Sequence, residues 1–257
     1  GVGFLSTRAE CDQTLGKPLQ VESKENYTYV TYAYRGNYQI EFVFNDMGVV
    51  KRFGCYYESK QKATEKYKDG DFLMSGCRIM KYNGKKSGTK NIVFPKDAIA
   101  VAKDAFCAKN TKGLEKINMT IPKKLYLEPY SFENLRNCVI TFEEGRKIIE
   151  RKSFFNCAVR DRRGEETVKI TLPSSVRTLQ KEAFFQEWSL TLKLKLNEGL
   201  KVVGEAALSG THAKLPSTVK ALGKEALGNW WYTDEEDYDE VVLPEGLEEI
   251  GDGCISV

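Results

Sequence analysis

One segment of the chain reads Ile170-Thr171-Leu172-Pro173-Ser174-Ser175-Val176-Arg177-Thr178-Leu179-Gln180-Lys181-Glu182-Ala183-Phe184, and the pattern of its second half returns along most of the sequence. The returning unit is an aliphatic anchor, a few mostly polar residues, a small residue and then a bulky apolar residue. Seven anchors follow this pattern: Val101, Leu127, Ile149, Leu179, Val203, Leu222 and Ile250. Because no single unit can bury its own apolar face, the recurrence predicts a stacked solenoid whose anchors share one apolar column.

A strand and a turn precede the anchors. In six units an apolar residue stands seven positions before the anchor, and five units place a proline directly after the corresponding apolar residue. Upstream of it apolar and polar residues alternate, as in Leu192-Lys193-Leu194-Lys195-Leu196. Such alternation is typical of a strand with one buried face, and proline suits the end of an extended run. Insertions fall between the bulky residue and the next strand, which confines them to one edge of the coil.

These residues resemble the BspA-like leucine-rich repeat, also called the Treponema pallidum type, whose unit runs approximately L-x-x-I-x-I-P-x-x-V-x-x-I-G-x-x-A-F-x-x-C. The segments 170–184 and 242–251 follow that unit closely. The resemblance implies a β-rich α/β leucine-rich-repeat solenoid, a curved right-handed coil of about seven repeats over residues 91–257. It also implies a bacterial protein that is secreted or attached to the cell surface and binds other molecules without catalysis.

The first ninety residues do not follow the repeat. Alternation predicts three strands over residues 27–34, 38–44 and 49–57, joined by turns that carry Gly and Asn. Residues 58–67 favour a helix, residues 71–82 return to strand-like content, and residues 83–90 suit a linker. We expect a small α+β antiparallel-sheet domain over residues 1–90 that caps the solenoid, since a bare terminal coil leaves an apolar face exposed.

Composition excludes some functions. With 257 residues and 41% apolar content the chain can bury a sizeable core, and a formal charge of +3 does not indicate a nucleic-acid partner. Apolar runs are too short to span a bilayer, so we do not expect a membrane-embedded protein. The chain begins at Gly1 without a signal-peptide pattern, which we interpret as a trimmed mature or recombinant form.

The cysteines favour a structural role. None of the seven forms a C-x-x-C pair, so neither a metal site nor a cofactor is predicted. Four fall in or beside the repeat template, where a small apolar thiol suits the core: Cys107, Cys138, Cys157 and Cys254. Three precede the repeats and leave one disulfide open as an alternative if the protein is secreted: Cys11, Cys55 and Cys77.

Catalysis has little support in the sequence. The only histidine, His212, stands in the shortest return loop beside residues typical of a turn. Carboxylate pairs such as Glu143-Glu144 and Glu248-Glu249 lie on turns or exposed repeat positions, where charges are usually solvated. We therefore predict that the protein is not an enzyme.

Two surfaces are candidate binding sites. Outward strand positions carry Lys169, Lys193, Lys195 and Lys214. Strands about 4.8 Å apart would align these lysines into a basic stripe for an acidic protein or an anionic glycan, although lysines also serve simply as solvated strand exteriors. The last long insertion carries Trp230, Trp231, Tyr232 and Tyr238. Such rings are enriched at recognition sites and can stack on sugars, but a solvated loop with one Trp packed inward is the alternative.

Three hypotheses follow for function. The first is recognition or adhesion at the cell surface, with host or bacterial surface proteins as partners. The second is a glycan-binding module that uses the Trp230 to Tyr238 loop, and the third is a structural spacer. The seventh unit ends the sequence, so we also expect self-association at the C-terminal coil end.

Overall fold

The computed structural model describes residues 6–34, 38–57, 66–84, 87–158, 167–187, 192–211, 213–228 and 242–255. Their first part contains one helix and seven strands: α1 (Arg8–Leu15), β1 (Gln20–Lys24), β2 (Tyr27–Tyr34), β3 (Tyr38–Phe44), β4 (Val50–Tyr57), β5 (Lys66–Asp69), β6 (Phe72–Ser75) and β7 (Arg78–Tyr82). Their second part contains a short helix and twelve strands: β8 (Gly88–Ile92), β9 (Ala100–Val101), α2 (Ala108–Thr111), β10 (Leu114–Ile121), β11 (Tyr126–Leu127), β12 (Cys138–Phe142), β13 (Ile148–Ile149), β14 (Val168–Thr171), β15 (Thr178–Leu179), β16 (Leu192–Lys195), β17 (Val202–Val203), β18 (Ala221–Leu222) and β19 (Glu249–Ile250).

The N-terminal strands form an antiparallel sheet in the order β1-β2-β3-β4. The three predicted strands are confirmed, with β4 beginning one residue later than expected. Alternate residues such as Val30, Ile40 and Phe42 are buried in a separate core. The helix predicted over residues 58–67 is wrong at Lys66 and Tyr67, which lie in β5, and its other residues fall outside the described ones.

Five longer strands form a parallel sheet in the order β16-β14-β12-β10-β8. Each strand follows the alternation of its sequence, so that Ile117, Ile140 and Ile170 point into the core. Neighbouring strands are in register, and Ile140 pairs with both Met119 and Ile170. This sheet is the predicted strand ladder of the solenoid.

The anchors form a second row of short parallel strands. Six of them are at most 2% exposed: Val101, Leu127, Ile149, Leu179, Val203 and Leu222. Beside this row the bulky residues stack coil on coil. The ring centroids of Phe106, Phe132, Phe154 and Phe184 are separated by 5.1, 4.9 and 5.2 Å, and successive planes lie within 17° of parallel. The solenoid core is therefore one continuous apolar column.

The seventh anchor does not join this column. Ile250 pairs with Leu222 in the ladder, but its side chain is 58% exposed, and Ile255 is 38% exposed. The expectation that all seven anchors are buried is wrong at this unit. No coil within the described residues covers the outer side of β19, so its apolar residues face solvent.

A left-handed backbone conformation recurs in every repeat unit, at the position directly before the small residue that precedes the bulky one. Its φ lies between 49° and 64° in all seven units, at Asp104, Tyr130, Lys152, Glu182, Ala206, Glu225 and Gly253. This conformation costs an L-residue on the order of 1–2 kcal/mol. It turns the chain sharply, and the packed core must offset its cost.

The N-terminal part contacts the solenoid both through side chains and through strand pairing. Phe53 of β4 packs edge-on against Tyr126 of β11 with ring centroids 5.7 Å apart. β7 pairs with β9 in parallel, so that Ile79 stands opposite Val101. Ile79 is buried and occupies the anchor position one coil before the first predicted repeat. The division into residues 1–90 and 91–257 stays a prediction, and its boundary falls inside β8.

Candidate recognition surfaces

The outward side chains of the parallel sheet form two rows, which we call the outer sheet face. One row contains Asn91, Asn118, Val139, Lys169 and Lys193. The other contains Thr120, Thr141, Thr171 and Lys195, with Val93 directly after β8 in line with them, while the exposed Lys214 follows β16 outside the paired strands. Lys169 lies directly opposite Lys193, and Thr171 lies opposite Lys195. All four predicted lysines are exposed, and the structure aligns three of them across two neighbouring strands.

The N-terminal half of the outer sheet face is neutral and internally hydrogen-bonded. The Asn118 amide donates to the Asn91 side-chain oxygen at 2.9 Å. The hydroxyls of Thr120 and Thr141 are 2.9 Å apart, and Thr141 also donates to the Met119 carbonyl at 3.4 Å. Polarity therefore changes along the solenoid from amide and hydroxyl groups to lysines.

The carboxylates next to this face are already bound to protein groups. Glu144 accepts from the Ser174 N–H at 2.9 Å and from its hydroxyl at 3.1 Å. The hydrogen bond from the Ser174 N–H lowers the pKa of Glu144. Glu198 receives the same pair of hydrogen bonds from Ser217, at 3.2 and 2.8 Å. These glutamates clamp one coil to the next, whereas none of the four lysines forms an ion pair with a carboxylate of the described residues.

The second predicted surface lies outside the described residues. Trp230, Trp231, Tyr232 and Tyr238 lie outside the described residues, as does His212. Carboxylate pairs that are described serve structural contacts. The Glu248 carboxylate, for example, accepts from Lys220 at 2.8 Å.

Most of the described cysteines are buried. Cys11 is a free thiol, so it forms no disulfide with Cys55 or Cys77, and the Cys55 side chain lies outside the described residues. Burial raises the pKa of Cys157 to about 12 and that of Cys11 to about 11, which keeps both thiols protonated. Within the described ranges no group of three or more metal-ligating side chains is present.

Sequence reasoning missed a third surface, which we call the aromatic row: Tyr130, Phe155 and Phe185. All three rings are partly exposed. Phe155 stacks on Phe185 with centroids 4.9 Å apart, and Tyr130 meets the edge of Phe155 at 5.2 Å. The sequence does contain a signal for this surface. Tyr130 stands directly before the small residue of its unit, and Phe155 and Phe185 stand directly after the bulky residue of theirs. In the other units these two positions mostly carry charged or small residues.

Charged groups hold and surround the aromatic row. The Lys152 ammonium lies 5.5 Å from the Tyr130 ring centroid and 5.3 Å from that of Phe155, and it binds Glu182 at 2.7 Å. Burial raises the pKa of Glu133, and the nearby charge of Asp104 raises it further, with a smaller contribution from Glu187. The Lys103 ammonium lies 5.1 Å from the Tyr130 ring centroid, and its charge opposes the rise in the pKa of Glu133. The row is therefore pre-ordered, with lysine ammonium groups over its rings and carboxylates beside them.

A family comparison agrees with this architecture. The BspA type leucine rich repeat region matches in six copies over residues 78–169 and 163–257. The chain belongs to this family of leucine-rich-repeat solenoid proteins. The match starts at the strand that contains Ile79, which explains why it reaches back beyond the predicted first repeat.

Other comparisons add no relative. Neither the curated proteins nor the solved structures yielded a match to this chain. Within the described residues, no helix has the length and apolar character needed to cross a membrane. Solenoids of this repeat class are typically binding scaffolds, and the chain is a repeat-based interaction module.

Proposed function

We propose that the chain is a non-enzymatic recognition or adhesion protein that binds other proteins and acts outside the cell or attached to its surface. Membership of a repeat family that is typically secreted or surface-borne supports the location. Host or bacterial surface proteins are the proposed partners. The observation that carries the proposal is the aromatic row.

The aromatic row has the properties of a protein contact site. Aromatic residues are enriched at the energetic centres of interfaces because they bury a large area with few rotatable bonds. Stacking and the Lys152 ammonium fix these rings before any partner arrives, which lowers the entropy cost of binding. The carboxylates of Asp104, Glu133 and Glu187 outnumber the Lys103 ammonium beside the row, which favours a partner that presents arginine or lysine beside its apolar contact.

Other contacts remain part of the proposal. Lys169, Lys193, Lys195 and Lys214, with Trp230, Trp231, Tyr232 and Tyr238, are further proposed binding residues. The exposed Ile250 and Ile255 support self-association at the C-terminal coil end, because exposed apolar side chains favour association. We retain the glycan-binding loop and the spacer as alternatives.

Site-directed photo-crosslinking tests the function. A benzophenone amino acid replaces Tyr130 in one protein and Tyr27, which is 43% exposed in the N-terminal sheet, in the control. Both are incubated with a surface-protein fraction and irradiated. We expect specific protein adducts from position 130 that excess unlabelled protein suppresses. Adducts of equal yield from both positions, or from position 27 alone, would contradict the proposed site.

A further inference from the structure

We propose that the basic half of the outer sheet face is a separate site for a linear sulfated glycan, bound by Lys169, Lys193, Lys195 and Lys214. The chain of sugars would lie across the strands, along the solenoid axis. This site is distinct from the aromatic row, so it extends the proposed function and can fail independently of it.

The lysines of the outer sheet face carry positive charge that no described carboxylate neutralises. Lys169 stands directly opposite Lys193, and like charges opposite each other in a sheet repel. No carboxylate among the described residues neutralises these lysines, and the nearby Glu144 and Glu198 are bound to Ser174 and Ser217. An anionic ligand relieves this repulsion, and each lysine that it contacts adds a favourable electrostatic attraction.

The composition of the outer sheet face favours a sulfated glycan over an acidic protein as the anionic ligand. None of its side chains is aromatic, an arginine or a carboxylate, and lysine is depleted at the cores of protein interfaces. A folded acidic protein would find no anchor residue here. A sulfated glycan needs none, because its affinity comes from charge and from hydrogen bonds to its hydroxyls.

Hydrogen-bonding groups continue the lysine rows. Thr171 lies between Lys195 and the hydrogen-bonded hydroxyls of Thr141 and Thr120. Asn118 and Asn91 extend the other row as a bonded amide pair. Successive positions lie about 4.8 Å apart, so Lys195, Thr171, Thr141 and Thr120 form a continuous polar track, whereas Val139 separates the amide pair from Lys169 in the other row. Sulfates would contact the lysines, and sugar hydroxyls would contact threonine and asparagine.

Titration calorimetry on the full chain tests this site. The probe is a size-defined heparin oligosaccharide, and its desulfated counterpart, polyglutamate and double-stranded DNA are the comparison ligands. The test variant carries Lys193→Gln and Lys195→Gln. The control carries Lys109→Gln and Lys112→Gln, which remove two exposed lysines at and beside α2. Thermal unfolding of both variants verifies that they are folded.

We expect saturable binding of the heparin oligosaccharide that weakens with added salt. The Lys193/Lys195 variant should bind at least about tenfold more weakly, and the control should bind like the wild type. The desulfated probe should not bind. The proposal is overturned if heparin does not bind, if both variants lose affinity equally or not at all, or if polyglutamate or DNA binds as tightly as heparin. Crosslinking at position 130 should be unchanged in the Lys193/Lys195 variant, which separates failure here from failure of the proposed function.

Discussion

The guanidinium of Arg146 lies 2.7 Å from both carboxylate oxygens of Glu150, and the Arg146 side chain is only 3% exposed. Arg146 also donates to the Leu125 carbonyl at 3.0 Å and to the Pro122 carbonyl at 3.2 Å. The pair occupies a break in the anchor row, where β11 pairs only with β9 and β13 pairs only with β15. Arg146 thus links its coil to the preceding one where backbone pairing is interrupted, and Glu150 neutralises its buried charge.

Replacement of Glu150 by glutamine should destabilise the protein. Glutamine keeps the size of the side chain but leaves the Arg146 charge buried without a counter-charge, which costs about 3 kcal/mol. Burial raises the pKa of Glu150, and attraction to Arg146 opposes that rise. Urea unfolding of the full chain measures the loss.

A matched control exists in the next coils. Glu205 binds Lys181 at the same 2.7 Å, but both side chains are exposed. Because solvent screens that pair, Glu205→Gln should change the free energy of unfolding little. Equal effects of Glu150→Gln and Glu205→Gln would mean that the buried Arg146–Glu150 pair stabilises the fold no more than an exposed pair does.

Shortening Phe154 should weaken the apolar column. Phe154 is fully buried and stacks on a ring at both faces. Phe154→Ala should cost about 3–5 kcal/mol because it leaves a cavity. Phe154→Leu should cost about 2 kcal/mol, since leucine fills the same row at Leu208 and Leu227 but loses the stacking. Thermal unfolding measures both, and a loss under about 1 kcal/mol for Phe154→Ala would contradict a shared column.

The difference in stability between the Glu133→Gln variant and the wild type should depend on pH. Burial and Asp104 raise the pKa of Glu133 in the folded state above its unfolded value of about 4.3, so the ionised form carries a folding penalty. That penalty is present above the folded-state pKa and vanishes below the unfolded one. Glu133→Gln should therefore be more stable than the wild type at neutral pH, and the gap should close as the pH falls. A stability difference that instead widens as the pH falls would contradict a raised pKa of Glu133 in the folded state.

Much of the fold could be predicted from the sequence because its signals are periodic. Leu179 and Phe184 recur at fixed spacing and are buried, and Lys193 and Lys195 alternate with Leu192 and Leu194 and are exposed. Each of these assignments depends on local pattern alone. They were confirmed because the stacked coils apply the same local rule in every unit.

Other features depend on which coil lies next to which. Ile250 matches the anchor pattern, yet it faces solvent because no described coil covers it. Arg146 appears in the sequence as an ordinary surface charge, and only the break between β11 and β13 explains its burial. The aromatic row arises from residues of neighbouring coils, so no single segment of sequence contained it.

The distance between spin labels on the outer sheet face tests the stacking most directly. Labels are attached through a non-canonical amino acid at Val93 and Lys195, so that the native cysteines stay in place. Four strand-to-strand steps join these positions through Thr120, Thr141 and Thr171. Steps of about 4.8 Å predict a backbone separation of about 19 Å with a narrow distribution. A mean separation more than twice as large, or a broad distribution, would show that these segments do not stack as one solenoid.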